Sequence, residues 1–166
     1  MSLEDELDRL CLACGLCCDG TIFAVAPLGP LELEPARSLK LPIVSDRAFK
    51  LPCPLQDGTR CTIHADPARP AICGAYQCKL RKQHAAEGGD IEERISIVTR
   101  TRVIAGRVRA KLPDAETSVI KRVDKLIQDG GLASLRGDPE LALDVAELAV
   151  RLERDFGVVV EREGKG

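Results

Sequence analysis

The second half of the chain repeats apolar residues at the spacing of amphipathic helices. Residues 90–111 follow this pattern and predict a first helix, although residues 98–104 would also suit a strand. Residues 114–128 carry a clearer apolar face, and the pair Gly130 and Gly131 marks its end. We therefore expect two helices here, each of which buries one face.

A third helix is predicted from its capping residues and its apolar stripe. Asp138 is a good N-cap, and Pro139 suits the first helical position because its fixed backbone angle is already helical. The helix is expected to end at Gly157, and its apolar stripe consists of Leu141, Val145, Leu148 and Leu152. The polar residues that follow are expected to fray.

The first half of the chain has only short segments with a regular pattern. Six prolines fall between residues 27 and 54, a density that excludes long helices or strands there. Asp57 and Gly58 form a strong turn signal. The short elements that the pattern predicts are an amphipathic helix at residues 3–10, a strand at 21–25, one or two helical turns at 31–39 and a strand at 61–64.

This contrast divides the chain into two parts. We expect an α+β fold in which a small, loop-rich, metal-binding cysteine-cluster module occupies residues 8–85. A C-terminal helical part of about three helices, residues 90–157, is expected to pack on that module. Residues 158–166 are expected to form a tail.

Composition and charge narrow the classes of partner. Aromatic residues make up 2% of the chain and the net charge is −2, so neither base stacking nor general attraction to nucleic acid is expected. Arg100, Arg107 and Lys111 would share one helix face, which we expect nearby acids to balance. We expect a cytoplasmic protein without a membrane span or secretory signal, whose helical region binds another protein.

The chemistry of the chain is concentrated in its eight cysteines. Thiols in the cytoplasm stay reduced, which favours a metal site over disulfides and leaves redox dithiols or inert thiols as alternatives. Thiolate is a soft ligand that selects zinc, copper(I) or iron–sulfur clusters. The candidate metal ligands are Cys11, Cys14, Cys17, Cys18, Cys53, Cys61, Cys73 and Cys78.

The spacing of the first four cysteines favours iron–sulfur use. Cys11, Cys14 and Cys17 form two overlapping C-x-x-C turns, whereas zinc sites usually have separated pairs. Adjacent side chains diverge, so Cys17 and Cys18 seldom bind one metal together. Either the eight thiols divide into two four-thiolate sites, or one cluster is accompanied by spare thiols.

A few other side chains are candidates for supporting roles. His64 and His84 could be ligands, although a single histidine is more often at the surface or hydrogen-bonded. Arg69 could donate hydrogen bonds to a sulfur or a carboxylate near the site, or simply belong to a turn. Asp19 is expected in a turn with Gly20 rather than at the metal.

Several motifs in the first half of the chain occur together in a known family. They are Cys11-x2-Cys14-x2-Cys17-Cys18, then Cys53-Pro-Leu-x2-Gly58-x2-Cys61-Thr-Ile63, then Arg69-Pro70-x2-Cys73. Over about residues 8–80 the chain resembles the YkgJ-like family, the C-x-x-C-x-x-C-C zinc- or iron-chelating domain. It departs from that pattern at His64, where the family usually has tyrosine, and at Gly74, where arginine usually follows the cysteine.

The resemblance implies a metal site and leaves the reaction undetermined. Members are described as cysteine-cluster proteins, sometimes as iron–sulfur oxidoreductases, and a related domain occurs in a flagellin lysine methylase. That methylase suggests a modifying enzyme as a third interpretation, but no glycine-rich cofactor loop accompanies the cysteines. Whether this chain is an enzyme is not determined by its sequence.

Two functions therefore remain open. The first is a metal-binding protein that holds an iron–sulfur cluster or zinc through the eight cysteines, with iron–sulfur slightly favoured and a redox or electron-transfer role. The alternative is a non-enzymatic, zinc-stapled protein-interaction module, in which the metal supplies the folding energy that a loop-rich segment lacks.

Overall fold

A computed structural model describes residues 1–112, 117–130, 133 and 135–158. Its helices are α1 (Leu3–Cys14), α2 (Leu33–Ser38), α3 (Ala71–Ala75), α4 (Lys79–Glu87), α5 (Ile91–Lys111), α6 (Val119–Gly130) and α7 (Pro139–Arg151), which continues as a π-helical turn over Leu152–Phe156. The strands are β1 (Val25–Pro27), β2 (Ile43–Ser45), β3 (Ala48–Lys50), β4 (Gln56–Asp57) and β5 (Arg60–Cys61).

The strands form two small antiparallel sheets in the first half of the chain. The larger sheet has the order β1-β3-β2, and β4 pairs with β5 as a hairpin. The hairpin turns at Gly58, whose φ of 59° confirms the predicted turn. Helices form the second half, so the mixed α+β class is confirmed.

The short strand predicted at residues 21–25 is wrong, because the backbone of this segment is used elsewhere. The carbonyls of Gly20 and Thr21 accept hydrogen bonds from the first amide groups of α6, Val119 at 2.9 Å and Ile120 at 3.2 Å. These bonds satisfy donors that a helix N-terminus leaves free. A strand begins only at Val25.

The strand predicted at residues 61–64 is also largely wrong. The strand β5 ends at Cys61, and residues 62–65 form turns in which the His64 amide donates to the Cys61 carbonyl at 3.4 Å. The other short elements agree with the pattern, since α1 covers residues 3–10 and α2 lies within residues 31–39.

The predicted helices of the second half are present. Residues 91–111 are helical, so the alternative strand at 98–104 is wrong. The side chain of Asp138 accepts a hydrogen bond from the Leu141 amide at 2.9 Å, which confirms its capping role. The predicted residues 114–116, Gly131 and 159–166 lie outside the described residues. Among the described helices, none combines the length and the apolar composition that crossing a membrane requires.

One large core joins the helical part to the first cysteines. The helix α5 packs against both α7 and α1. Leu10 and Leu16, which are next to Cys11 and Cys17, are buried with Val98, Val108 and Leu152. Arg107 and Lys111 pair with acidic side chains of α7 and its N-cap, as the balanced helix face predicted. The helical part therefore sets the position of α1 and its cysteines.

A hydrogen bond to a buried histidine fastens α4 to α1. His84 is fully buried, and its Nε2 lies 2.9 Å from the Glu6 carboxylate. We expect Glu6→Ala to lower the free energy of unfolding by about 1–3 kcal/mol, because it leaves a buried histidine nitrogen without its partner. Glu4→Ala, on the exposed face of the same helix, is the matched control. Equal urea-unfolding midpoints for the two variants would contradict this assignment.

Candidate metal centre

The cysteines predicted as ligands lie around one cavity. This cavity has a volume of about 430 Å³ and is lined by all eight cysteine residues, together with apolar side chains such as Phe23, Phe49 and Leu51. All eight thiols are free, and Cys14 is buried while the other seven are partly exposed. The fold thus gathers residues separated by up to 67 positions, Cys11 to Cys78, into one thiol-rich site.

Helices carry most of the first thiol set, which we define as Cys11, Cys14, Cys17 and Cys78. Cys11 and Cys14 lie three residues apart in the last turn of α1, and therefore on one face of that helix. Cys78 is the N-cap of α4, which packs against α1. Cys14, Cys17 and Cys78 all belong to or pack against the large core. Rigid, well-packed elements therefore hold this set.

Gly15 lets the chain turn sharply between Cys14 and Cys17. Its φ is +67°, and a Cβ at this position would lie 2.2 Å from the Gln56 side-chain nitrogen. The same Gln56 nitrogen donates to the Gly15 carbonyl at 3.2 Å. This close approach brings the β4–β5 hairpin, and with it Cys61, against the end of α1.

Loops and short elements carry the second thiol set, which we define as Cys18, Cys53, Cys61 and Cys73. The Cys53 amide donates to the Cys18 carbonyl at 2.8 Å, which ties these two segments together. Cys61 ends β5, and Cys73 lies in the five-residue helix α3. Cys53 and Cys73 pack against a second, smaller core.

The two sets differ in which nearby cysteines raise the pKa of each thiol. Burial first, and then the charges of Cys78 and Cys11, raise the pKa of the Cys14 thiol. Burial, followed by the charges of Cys14 and Cys78, raises the pKa of Cys17 well above its usual value. Burial and the charges of Cys17, Cys78 and Cys14 raise the pKa of Tyr76 to about 12, so this phenol lies beside the first set.

The second set has its own neighbours. Burial first, and then the charges of Cys73, Cys53 and Cys61, raise the pKa of Cys18 to about 12. Burial, and then the charge of Cys61, raises the pKa of Cys53. The charge of Cys18 raises the pKa of Cys17 more than the charge of Cys11 does, so the two sets adjoin each other at this pair. Thiols with raised pKa values stay protonated at neutral pH unless a bound cation favours the thiolate.

One arginine lies beside each set. The Nη1 of Arg81 donates to the Cys11 sulfur at 3.0 Å. Burial raises the pKa of the Cys73 thiol, and the charge of Arg69 together with a hydrogen bond from its side chain lowers that pKa in part. Each set therefore has a cation beside it, although Gly74 stands where the family usually has arginine.

Arg109 fixes the turn that follows Cys17 and Cys18. Asp19 accepts a hydrogen bond from the Thr21 amide at 2.8 Å, which is the turn role predicted for it. The other carboxylate oxygen of Asp19, Oδ2, lies 3.0 Å from Arg109 Nη2. The same nitrogen donates to the hydroxyl of the buried Thr21 at 2.6 Å. Arg109 of helix α5 thus contacts the turn that follows Cys17 and Cys18, a contact that the sequence did not reveal.

The two histidines have different surroundings. His64 lines the cavity, and its Nε2 lies 3.8 Å from the Asp8 carboxylate. Burial, and then the charge of Arg69, lowers the pKa of His64, so its ring is neutral at neutral pH. His84 is fully buried in its bond to Glu6, as the hydrogen-bonded alternative predicted.

The chemistry of the donors limits the kind of group that fits. Thiols are soft ligands, which suit zinc, copper(I) or an iron–sulfur cluster. Within the described residues, no three histidine, cysteine, aspartate or glutamate side chains are already arranged around a single metal position.

Comparison with known proteins agrees with this donor set. A search of curated proteins and a search of solved structures found no match. Residues 10–94, just over half of the chain, match the family described as "CxxCxxCC: Putative zinc- or iron-chelating domain". The matched range contains all eight cysteines, Arg69 and Arg81. The chain belongs to this metal-chelating family.

Proposed function

We propose that this protein holds an iron–sulfur cluster at each thiol set and transfers electrons through them. The observation that carries the proposal is the division of eight free thiols around one cavity into two sets of four, each beside an arginine. Four thiolates are the usual ligand set of an iron–sulfur cluster. When bound, such a cluster supplies reversible one-electron chemistry.

The residues of the cavity would support this role in separate ways. The eight cysteines would be the ligands, and Arg81 and Arg69 would offset the negative charge of the thiolates. Apolar side chains such as Phe23 and Phe49 line the same cavity and would keep water from the bound group. Burial and hydrogen bonding to sulfur are the factors by which a protein adjusts the potential of a cluster.

The location and the partner belong to the same proposal. The eight free thiols suit the cytoplasm, where thiols stay reduced. An electron carrier needs a protein partner, and we place that partner on the helical part. Its described surface includes the exposed apolar side chains Val103, Leu143 and Val150.

A zinc-stapled interaction module is the second candidate. It is favoured by the small size of the second core, whose buried residues are Leu28, Ala36, Leu41, Phe49 and Leu51. A metal would add folding energy to a segment whose strands are two or three residues long. In this case the cavity would hold two zinc ions, each bound by one thiol set.

Metal and sulfide analysis separates the two candidates. Protein purified without oxygen is expected to contain iron and acid-labile sulfide in equal amounts, with broad visible absorption. Aerobic purification of the same preparation is the control for oxidative loss. Zinc without sulfide in the anaerobic protein would contradict the electron-transfer proposal and support the stapled module.

A further inference from the structure

The two arginines of the cavity each have a buried donor atom for which the protein provides no acceptor. The Nε atoms of Arg81 and Arg69 are buried and have no hydrogen-bond partner in the described part of the chain. Guanidinium groups carry five N–H donors and no acceptor. Buried donors of this kind are almost always satisfied in a finished site, so the missing acceptors should come from the bound group.

The other atoms of Arg81 fix its position beside the first thiol set. Its Nη1 donates to the Cys11 sulfur at 3.0 Å and to the Leu7 carbonyl at 3.2 Å. The Asp8 carboxylate lies 3.9 Å from the same nitrogen. The guanidinium is therefore held at the end of α1 by groups from one helical turn, while Nε remains without a partner.

Arg69 is held in the same manner beside the second thiol set. Its Nη1 donates to the His64 carbonyl at 3.0 Å, and its Nη2 donates to the Cys73 carbonyl at 2.5 Å. The terminal nitrogens are thus used by the loop that carries the cysteine, and Nε again remains without a partner.

We propose that Arg81 and Arg69 are positioning residues, each donating through Nε to the group bound by its own thiol set. This inference rests on the proposed function, because the sulfide ions of a cluster are acceptors that a single zinc ion does not offer. Each donor would stabilise the more negative, reduced state of its own cluster. The arginines would therefore set two potentials separately.

Substitution of each arginine tests the assignment. Arg81→Gln and Arg69→Gln are each expected to lower the reduced-to-oxidised ratio of one cluster about tenfold at a fixed solution potential. This change means that the reduction potential of that cluster falls by about 59 mV for one electron. The other cluster should keep its potential. Arg100→Gln, at an exposed position of α5, is the control and should change neither. Potentiometric titration followed by electron paramagnetic resonance gives both values.

A conservative series keeps the test valid if a glutamine variant fails to fold. Arg81→Lys and Arg69→Lys retain the charge but lose Nε, so they should keep iron and sulfide and still show part of the shift. Lysine variants with full iron content and unchanged potentials would overturn the inference, while the electron-transfer proposal would stand. A shift of both clusters by either variant would overturn the pairing of one arginine with one set.

The two proposals fail in distinguishable ways. If the parent protein contains zinc without sulfide, the electron-transfer proposal fails, and the assignment of the two Nε donors to cluster sulfide fails with it. If the protein contains iron and sulfide but the lysine variants keep the parent potentials, only the arginine assignment fails.

Discussion

The single substitutions Cys17→Ser and Cys18→Ser are each expected to remove about half of the bound iron and sulfide. The two residues are adjacent in the chain, yet Cys17 belongs to the first thiol set and Cys18 to the second. Replacing one thiol of a four-thiolate site removes a ligand from that site alone. Iron and sulfide analysis of anaerobically purified variants measures the loss.

Double variants make the division between the sets sharper. Cys14→Ser combined with Cys17→Ser should lose no more iron than either single variant, because both residues belong to the first set. Cys17→Ser combined with Cys18→Ser should lose nearly all of it. Additive losses across sets and non-additive losses within a set are the pattern expected of two independent sites.

A serine substitution beside a ligand is the matched control for these variants. Thr62→Ser, next to Cys61, changes an exposed side chain and keeps the hydroxyl that donates to the Leu55 carbonyl. It should retain full iron. If Cys18→Ser retains full iron as well, Cys18 is a spare thiol. If both single cysteine variants lose all of the iron, the eight thiols form one shared site.

The helical half of the fold could be predicted because its signals are local. Asp138 and Pro139 mark the start of α7, and a stripe from Leu141 to Leu152 repeats at helical spacing. Such patterns depend on residues three or four positions apart, which a sequence displays directly. The strand predicted at residues 21–25 failed for the opposite reason, because its backbone bonds go to α6, about 100 residues later.

The presence of the cysteine cluster was predictable, but its division was not. The adjacent Cys17 and Cys18 suggested two sites or a spare thiol, and spacing alone does not decide between them. The proposed division rests on contacts between distant segments, such as the hydrogen bond from the Cys53 amide to the Cys18 carbonyl. Those contacts exist only in the folded chain.

The sequence identified only some of the residues that lie beside the thiols. Arg69 was recognised because it precedes Pro70 and Cys73 in a known motif. Arg81 was missed, although it follows Cys78 by three residues at the start of α4, the spacing that puts two residues on one side of a helix turn. Tyr76 carried no signal, because its proximity to the first thiol set follows from the fold.

Removal of the metal is expected to destabilise the cysteine module much more than the helices α5 to α7. The second core has few buried side chains and short strands, whereas the large core continues through α5 and α7. Metal binding to thiolates supplies roughly 10–16 kcal/mol in small sites, which is as large as the whole stability of a typical domain. Amide hydrogen exchange with and without a chelator should therefore show lost protection mainly within residues 8–85.

Removal of the metal should also reverse the dependence of protein stability on pH. In the metal-free protein the folded pKa values of the buried thiols lie above their usual value of 9.0, and that of Cys18 is about 12. Their contribution to stability is therefore complete below pH 9 and is lost as pH rises toward 12. In the metal-bound protein the thiols are ionised, so protons compete with the metal and stability is lost as pH falls.

Thermal melts of both forms across pH distinguish this account from inert thiols. The midpoint of the metal-free protein should fall on the alkaline side, and that of the loaded protein should fall on the acidic side. Cys18→Ser is expected to weaken the alkaline loss in the metal-free form, because it removes a thiol with a strongly raised pKa. A metal-free protein that keeps the cooperative melt and the exchange protection of the loaded form would show that the metal has no part in holding the module together.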